Sequence, residues 1–516
     1  MRVDSVGRSV VAATSRNVFA VFFAVVFIAA MLPNRSWAQT SEYFTREEIA
    51  ADLSEAYEIL RRNHPNFTRH KSAQQQQSLY DGLVASIPRY ASIDAAYLLL
   101  SELVGAVCDE HTQIIKRQSD YAIMPGGWPW FERPLFVRAG SLYIEDDYTR
   151  QKEKVVSING VSGDEIAAKL AARMPNDGCV DDGVLVVSDF LRVSGHIVSA
   201  LLGTTGPYWI ISIGAESGKP KGQTVEAASP FYSRFDAYLF HKERRRDLAR
   251  ELLVNSFTKR YLGHEVAAAD LSYRFAERGN LAYVKVDSFL VAEKAKTGIE
   301  KVMRDIIERK PDALFIDFTG NPGGYTETAQ FFMAFLLPRS HRLHSRAYRK
   351  NVSRDLPPSF KFTDQAAKDA RNQDIRYFRR IKPRNGIRST RVGRRSFGKP
   401  DYKGKLYVLV SPESRSNAIK VASNLRRLRN ATIVGNVTAA NTVSVCAAAR
   451  GSFKLKHTGF LMSVPEICYS SPENRFADDG TLVPDVAVDV FEWPLVNLNS
   501  MILRTAVEDH RATSVE

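Results

Sequence analysis

Three glycines crowd one corner of this sequence. "LFIDFTGNPGGYTETAQFF", Leu314 to Phe332, reads as a buried strand that stops at Gly320, Gly323 and Gly324 and restarts as a helix. Glycine loosens a fold, so its concentration marks a place where bare backbone has a use. A turn from strand end to helix start leaves backbone N–H groups unpaired and pointing outward. Three uses fit: a simple tight turn, a cradle for phosphate, or donors to a developing oxyanion. The Lys-Ser/Thr ending of a phosphate-binding P-loop is absent. A second junction of the same kind follows in "KLYVLVSPESRSNAIKVASNLRRL". There the strand Leu406–Val410 breaks at Ser411-Pro412, and a helix begins near Ser416 with Ala418, Val421, Ala422 and Leu425 on its inward face. Ser416 therefore stands at a helix N-terminus with unpaired amides close behind it. A serine there is either an N-cap or a nucleophile.

The elements around these corners follow from local pattern. Thr45 with Glu48 makes a capping box, followed by Ile49, Leu53, Ala56 and Leu60 on one face, and His64-Pro65 ends that helix. Ser72 with Gln75 repeats the signature ahead of Leu79, Leu83 and Ile87, and a third helix spans about Ala95 to Gly105. Three short amphipathic helices cannot bury their faces alone, so they are expected to cap something larger. "PLFVRAGSLYIE" and "KVVSING" read as strands, Asn159-Gly160 as a tight turn, and Ser162 with Glu165 as the cap of a helix in "DEIAAKLAARM". From about Leu271 strands and helices alternate: "NLAYVKVDSF", Thr297 to Arg309, "ALFIDF", a helix from Thr326, "KLYVLV", a helix from Asn417, "ATIVG". That alternation argues for a layered α/β core.

Bulk properties bound the setting. The chain has 516 residues, 44% of them hydrophobic, enough for two or three domains. Arg2, Arg8 and Arg16 precede the apolar run Val18 to Leu32, and Ser36-Trp37-Ala38 supplies small residues for cleavage, the pattern of a secretory signal peptide. The run is too short for the roughly 20 residues that span a bilayer. No cysteine near the cut offers a lipid anchor. Export to a bacterial periplasm is the expected destination, and Cys108, Cys179, Cys446 and Cys468 would then meet an oxidising compartment. Four cysteines allow three pairings; Cys446 with Cys468 is favoured because both fall in one late β-rich stretch. No ligand spacing suggests a metal. Much of the formal charge of +14 gathers in 371–405, expected as a solvated, partly mobile surface segment that could touch an anionic envelope. Nucleic acid is not an expected partner of an exported protein.

Four elements carry a resemblance. "DFTGNPGG" (Asp317 to Gly324) resembles the Asp-x-x-x-Asn-x-Gly-Gly signature of tail-specific, or C-terminal processing, serine peptidases. "VLVSPESRSNA" resembles their strand and Ser-x-Ser segment, whose second serine is the nucleophile. "GTLVPDVAVDV" is similar to the closing Gly-x-x-Pro-Asp segment, and "AVCDEHTQI" resembles the Asp-x-His-Thr element of the tricorn-like branch. The branch decides the base. Where tail-specific members place a lysine, this chain has Asn441, whereas His111 stands where the tricorn-like histidine would be. Histidine suits proton transfer because its unperturbed pKa lies near neutrality.

The resemblance implies Ser416 as nucleophile, His111 as general base and an orienting carboxylate from Asp478 or, one residue on, Asp479. It implies oxyanion donors from the Asn417 N–H and from Gly323 or Gly324, with Glu110 as an auxiliary beside the base. Thr319, Asn417 and Ile419 depart from frequent family choices, but none removes a proton-transfer group. The implied fold is α/β: a crotonase-like ββα-spiral core over 271–495, an N-terminal helical cap over 39–125 and a β-rich, PDZ-related module over 126–270. A signal peptide over 1–38 and a C-terminal tail over 496–516 complete the expected organisation. The implied function is an exported serine peptidase acting on peptide or protein, with no metal or organic cofactor. Two rivals share the scaffold. A non-catalytic carrier of a hydrophobic ligand or peptide is disfavoured by the complete Ser416/His111 pair. An acyl-CoA-processing relative is disfavoured by the export signal.

Overall fold

The computed structural model describes residues 43–116, 135–138, 140–145, 152–173, 201–202, 208–213, 221–226, 266–268, 271–276, 280–289, 292–337, 340–353, 355–393, 399, 401–412, 414–438, 441–447, 451–471, 480–488 and 498–515. These fall in the unit formed by Glu42–Ile123 and Gly127–Glu516. The expected signal peptide, Cys179, Asp478 and Asp479 lie outside the described residues. Among those described, no helix is long and apolar enough to cross a membrane.

The strands Ala313–Asp317 and Lys405–Val410 run side by side and parallel at the centre of a seven-stranded sheet. Its order is 266–268, 271–275, 281–286, 313–317, 405–410, 432–435, 486–487, antiparallel across the first three and parallel thereafter. "ALFID" is buried at every position, as a parallel strand covered on both faces must be. Alternation then sorts its side chains. Leu314 and Ile316 face a layer that includes Ile299, Met303, Phe332, Val421 and Leu425, from the helices Ala292–Arg309, Thr326–Met333 and Asn417–Arg429. Phe315 and Tyr407 face the other way, stacked at 4.9 Å, against Ile502, Leu503, Ala506 and Val507. Those four residues belong to the helix Leu498–Val515. The segment expected as a C-terminal tail is therefore a helix closing the second face of the sheet. Its apolar residues recur at helical spacing, a signal the tail assignment passed over.

The N-terminal helices form as their caps dictate. Thr45 and Ser72 both make reciprocal capping boxes, opening Arg46–Asn63 and Ala73–Ser86. Pro65 bars αR geometry at His64, which is extended (φ −77°, ψ 117°) and ends the first helix. The third helix starts at Ile93, earlier than its periodicity indicated, because Ser92 Oγ accepts the Ala95 N–H. As expected these helices cap something larger: Ile49, Leu53, Leu60 and Leu100 share one apolar cluster with Phe453, Phe460 and Met462. The strand Gln113–Ile115 also pairs antiparallel with Leu461–Ser463. The loop carrying His111 is thus tied to the late part of the chain by sheet hydrogen bonds.

A separate antiparallel sheet ordered 135–138, 141–145, 152–158, 208–213, 221–226 packs with the helix Gly163–Ala171 around Leu142, Ile144, Val155, Ile166 and Leu170. Ser162 precedes that helix but makes no side-chain cap bond, unlike its expected role.

The basic segment is exposed or half-buried over most of its described length, but it holds ordered elements and one buried arginine. Within 371–405, the helix Gln365–Arg379 and the strand Arg388–Arg391 are ordered elements. Arg371 is 1% exposed and forks onto Glu466 at 2.7 and 2.8 Å, while Ile375 and Phe378 are buried. A carboxylate elsewhere in the fold removes one arginine from solvent, which local charge density cannot reveal. Cys446 and Cys468, opposite each other on paired strands, form the favoured disulfide. Cys108 is disulfide-bonded as well.

Candidate active site

The two glycine- and serine-bearing corners meet because their strands are neighbours. Asp317 ends the first strand fully buried and accepts from Tyr283 Oη at 2.6 Å, Lys285 Nζ at 3.0 Å and the Thr319 N–H at 2.7 Å. Charge-assisted bonds of this kind hold a turn rigidly. From there the contacts cross to the second corner. Ser414 Oγ donates to Phe318 O at 2.8 Å, the Gly320 N–H to Ser411 Oγ at 3.0 Å, and the Arg415 N–H to Asn321 O at 2.9 Å. Asn417 Nδ2 returns a bond to Gly324 O at 2.6 Å.

Gly323 lies at φ +97°, and a Cβ there would stand 2.6 Å from Ser416 Cβ and 3.0 Å from the Asn417 nitrogen. The glycine is a close approach to the serine as well as a turn. Ser416 itself has φ 50° and ψ −124° and gives no side-chain cap bond to the helix it precedes. A non-glycine residue at positive φ is costly, and such strain gathers where a side chain is aimed for use.

The amides divide unequally. The Gly323 N–H donates to Asn321 Oδ1 at 2.7 Å, and Asn321 Nδ2 is anchored on Val286 O at 2.8 Å. Gly323 therefore contributes its lack of a side chain. The N–H groups of Gly324 and Asn417 have no protein acceptor among the described residues; the Asn417 N–H directly follows Ser416, and Asn417 Nδ2 ties that residue to Gly324 O.

His111 lies on the loop between the third cap helix and Gln113–Ile115, its side chain 30% exposed. Glu110, beside it, pairs with Arg415, beside Ser416, at 3.5 Å. That ion pair brings the His111 and Ser416 segments together. His111 Nε2 is 3.9 Å from Glu110 Oε1, and its Nδ1 is 3.6 Å from Asp109 Oδ1. Asp109 is buried and also takes bonds from His64 Nε2 at 3.0 Å and from Thr112 Oγ1. Burial pushes its carboxyl up, but the hydrogen bonds from His111 and His64 and the charge on those rings outweigh it, holding Asp109 well below the usual carboxylate range.

Sequence reasoning overlooked Asp109, although it stands in the quoted "AVCDEHTQI", and it had no signal for Arg415. It also passed over Lys420. That lysine is 1% exposed, one turn past Ser416, and donates to Asn441 O at 2.9 Å, Thr442 O at 2.6 Å and Ser471 Oγ at 3.3 Å. It brings an ammonium to the loop that carries Asn441, the position to which the family resemblance would assign a lysine. With three donors engaged it braces that loop and is not a free amine. Among the described residues, His64, Cys446 and Cys468 are grouped closely enough to ligate a metal, but the two sulfurs are bonded to each other.

Residues 280–488 match the family described as Peptidase family S41. No curated protein matches the chain. Among solved structures, mature CPAF complexed with lactacystin superposes with a TM-score of 0.56 at 13% identity, covering 91% of this chain and 97% of that one. A mutant of CPAF gives 0.54 at 13% identity over 88% and 94%. The photosystem II D1 C-terminal processing protease gives 0.41 at 12% identity over 86% and 93%.

Proposed function

We propose that this chain, whose residues 280–488 match peptidase family S41, acts as a serine-type peptidase with Ser416 as its nucleophile and His111 as its general base. Ser416 Oγ attacks the scissile carbonyl while His111 takes its proton. The oxyanion forms against the Gly324 and Asn417 N–H groups. The imidazolium then protonates the leaving amine, and a water activated by the same ring releases the acyl group. Substrates are peptides or proteins, and the chemistry calls on no metal. The observation that carries the assignment is the backbone of Ser416, held at φ 50° against a bare Gly323 with the Asn417 amide nitrogen close by. The Glu110–Arg415 pair supports His111 as the base.

The succession of strands and helices around 281–317 and 405–435 supports a crotonase-like ββα spiral, and the strand–helix module at 135–226 supports a PDZ-related one. Export to the periplasm is supported by the N-terminal sequence pattern and by disulfide use at Cys446–Cys468 and Cys108. Fractionation with N-terminal sequencing tests it: retention of residues 1–38 on the cytoplasmic protein counts against it. For the chemistry, a fluorophosphonate probe is expected to label Ser416 in the wild type, and both Ser416→Ala and His111→Ala to abolish turnover with the fold intact. Full labelling of the Ser416→Ala protein refutes the nucleophile, and unchanged rates in His111→Ala refute the base.

A further inference from the structure

We infer that Asp109, held by His64, is the carboxylate that orients His111, a role the family pattern would send to Asp478 or Asp479. This rests on the Ser416/His111 reading and deepens it. Asp109 and His111 share one short loop, and Oδ1 of Asp109 both accepts the His111 N–H at 3.2 Å and faces the imidazole Nδ1 at 3.6 Å. Its other oxygen receives His64 Nε2 at 3.0 Å and Thr112 Oγ1. The state of His64 follows from its second nitrogen. Nδ1 lies 3.2 Å from the Asn66 N–H, and an amide only donates, so in the neutral ring the proton sits on Nε2 and points at Asp109.

Asp109 is thus a buried carboxylate surrounded by donors, and the face it leaves open is the Nδ1 side of His111. An anion there selects the tautomer with hydrogen on Nδ1, frees Nε2 for the serine hydroxyl, and stabilises the imidazolium formed after proton transfer. Among the described residues, Glu110 also lies 3.9 Å from Nε2, and Arg415 from the nucleophile corner pairs with that carboxylate. His64 can hold this post because Pro65 ends its helix there, and its ring is fully buried. Both residues act through His111 and are positioning residues.

The test reads the rate of Ser416 labelling by a fluorophosphonate probe against pH, which needs no known substrate. Asp109→Asn is expected to slow labelling ~10²–10⁴-fold. It should also move the acid limb to lower pH, since an imidazolium without its anion gives up its proton more readily. Asp478→Asn and Asp479→Asn are expected to leave the limb in place. His64→Gln, which keeps a donor for Asp109, should lose less rate than His64→Phe. If Asp109→Asn fails to fold, Thr112→Val and His64→Gln carry the test, with a graded loss of rate and a shifted limb in folded protein. A wild-type rate and limb in these variants, or a limb that moves in Asp478→Asn or Asp479→Asn instead, overturns the inference. Absence of Ser416 labelling in the wild type is a different failure, one that removes the active-site reading itself.

Discussion

Gly323→Ala is the sharpest probe of the corner, because the added methyl meets only backbone and a short side chain. It would lie 2.6 Å from Ser416 Cβ, 3.0 Å from the Asn417 nitrogen and 3.1 Å from Arg415 O. Comfortable carbon contacts begin near ~3.5 Å, so the serine must move about 1 Å or the glycine corner must. The Gly323 N–H bond to Asn321 Oδ1 within the corner, and the Asn417 and Ser414 bonds that cross between the two corners, resist either shift. Overpacking of this kind costs ~1–3 kcal/mol, and a Cβ at positive φ adds ~1–2 kcal/mol. The total expected loss of stability is about 2–5 kcal/mol. A displacement of about 1 Å at a reacting centre costs on the order of 10²-fold in rate. Gly320→Ala is the matched control: Gly320 also has positive φ (+71°), but a Cβ there meets nothing within 4 Å. Urea unfolding with the fluorophosphonate labelling rate reads both terms. Gly320→Ala should lose only the backbone term and label near the wild-type rate. If Gly323→Ala labels as fast and unfolds at the same urea concentration as Gly320→Ala, the claim that bare backbone is needed against Ser416 is wrong.

Three further outcomes follow from particular contacts. Ser416→Gly should abolish labelling yet exceed Ser416→Ala in stability by about 1 kcal/mol, because glycine relieves the φ of 50°; equal unfolding midpoints would contradict the strain. The Glu110–Arg415 pair is partly exposed, so screening limits it to ~0.2–1 kcal/mol. Arg415→Glu should therefore slow labelling about 5-fold with little change in stability, and Glu110→Arg in the same chain should restore it; no restoration in the double reversal rejects the pair as a clasp. His344 is buried beside Lys420, and burial first, then that charge, brings its pKa from 6.5 down to about 3. The folded ring stays neutral while the unfolded one charges, so its stability contribution is present above pH 6.5 and drains as pH falls towards about 3. At pH 4.5 the loss should be about 2–3 kcal/mol, and His344→Phe, still able to stack on Tyr469, should remove most of it in urea titrations at pH 7 and 4.5.

Features set by nearest neighbours were legible in the sequence. The capping boxes at Thr45 and Ser72 form within one turn, so their residue types suffice to place the helix starts. "ALFI" and "LYVLV" read as buried strands because burial on both faces leaves an unbroken apolar run, with the charged Asp317 and Lys405 only at its ends. The helix Leu498–Val515 was lost to the expectation of a loose end, although its spacing was there to be read. The buried arginine of the basic segment was not legible because Glu466, far along the chain, determines which arginine is buried.

By itself the sequence determined where the strands stop, where glycine replaces side chains, and which serine and histidine fit an acyl-transfer pattern. Only the tertiary structure decided which amides beside Ser416 are spoken for, and which carboxylate faces His111. Asn321 claims the Gly323 N–H through a turn geometry, and His64 reaches Asp109 across 45 residues of chain. Hydrogen bonds depend on distances of a few tenths of an ångström. Those are set by packing across the whole fold, and residue order alone does not contain them.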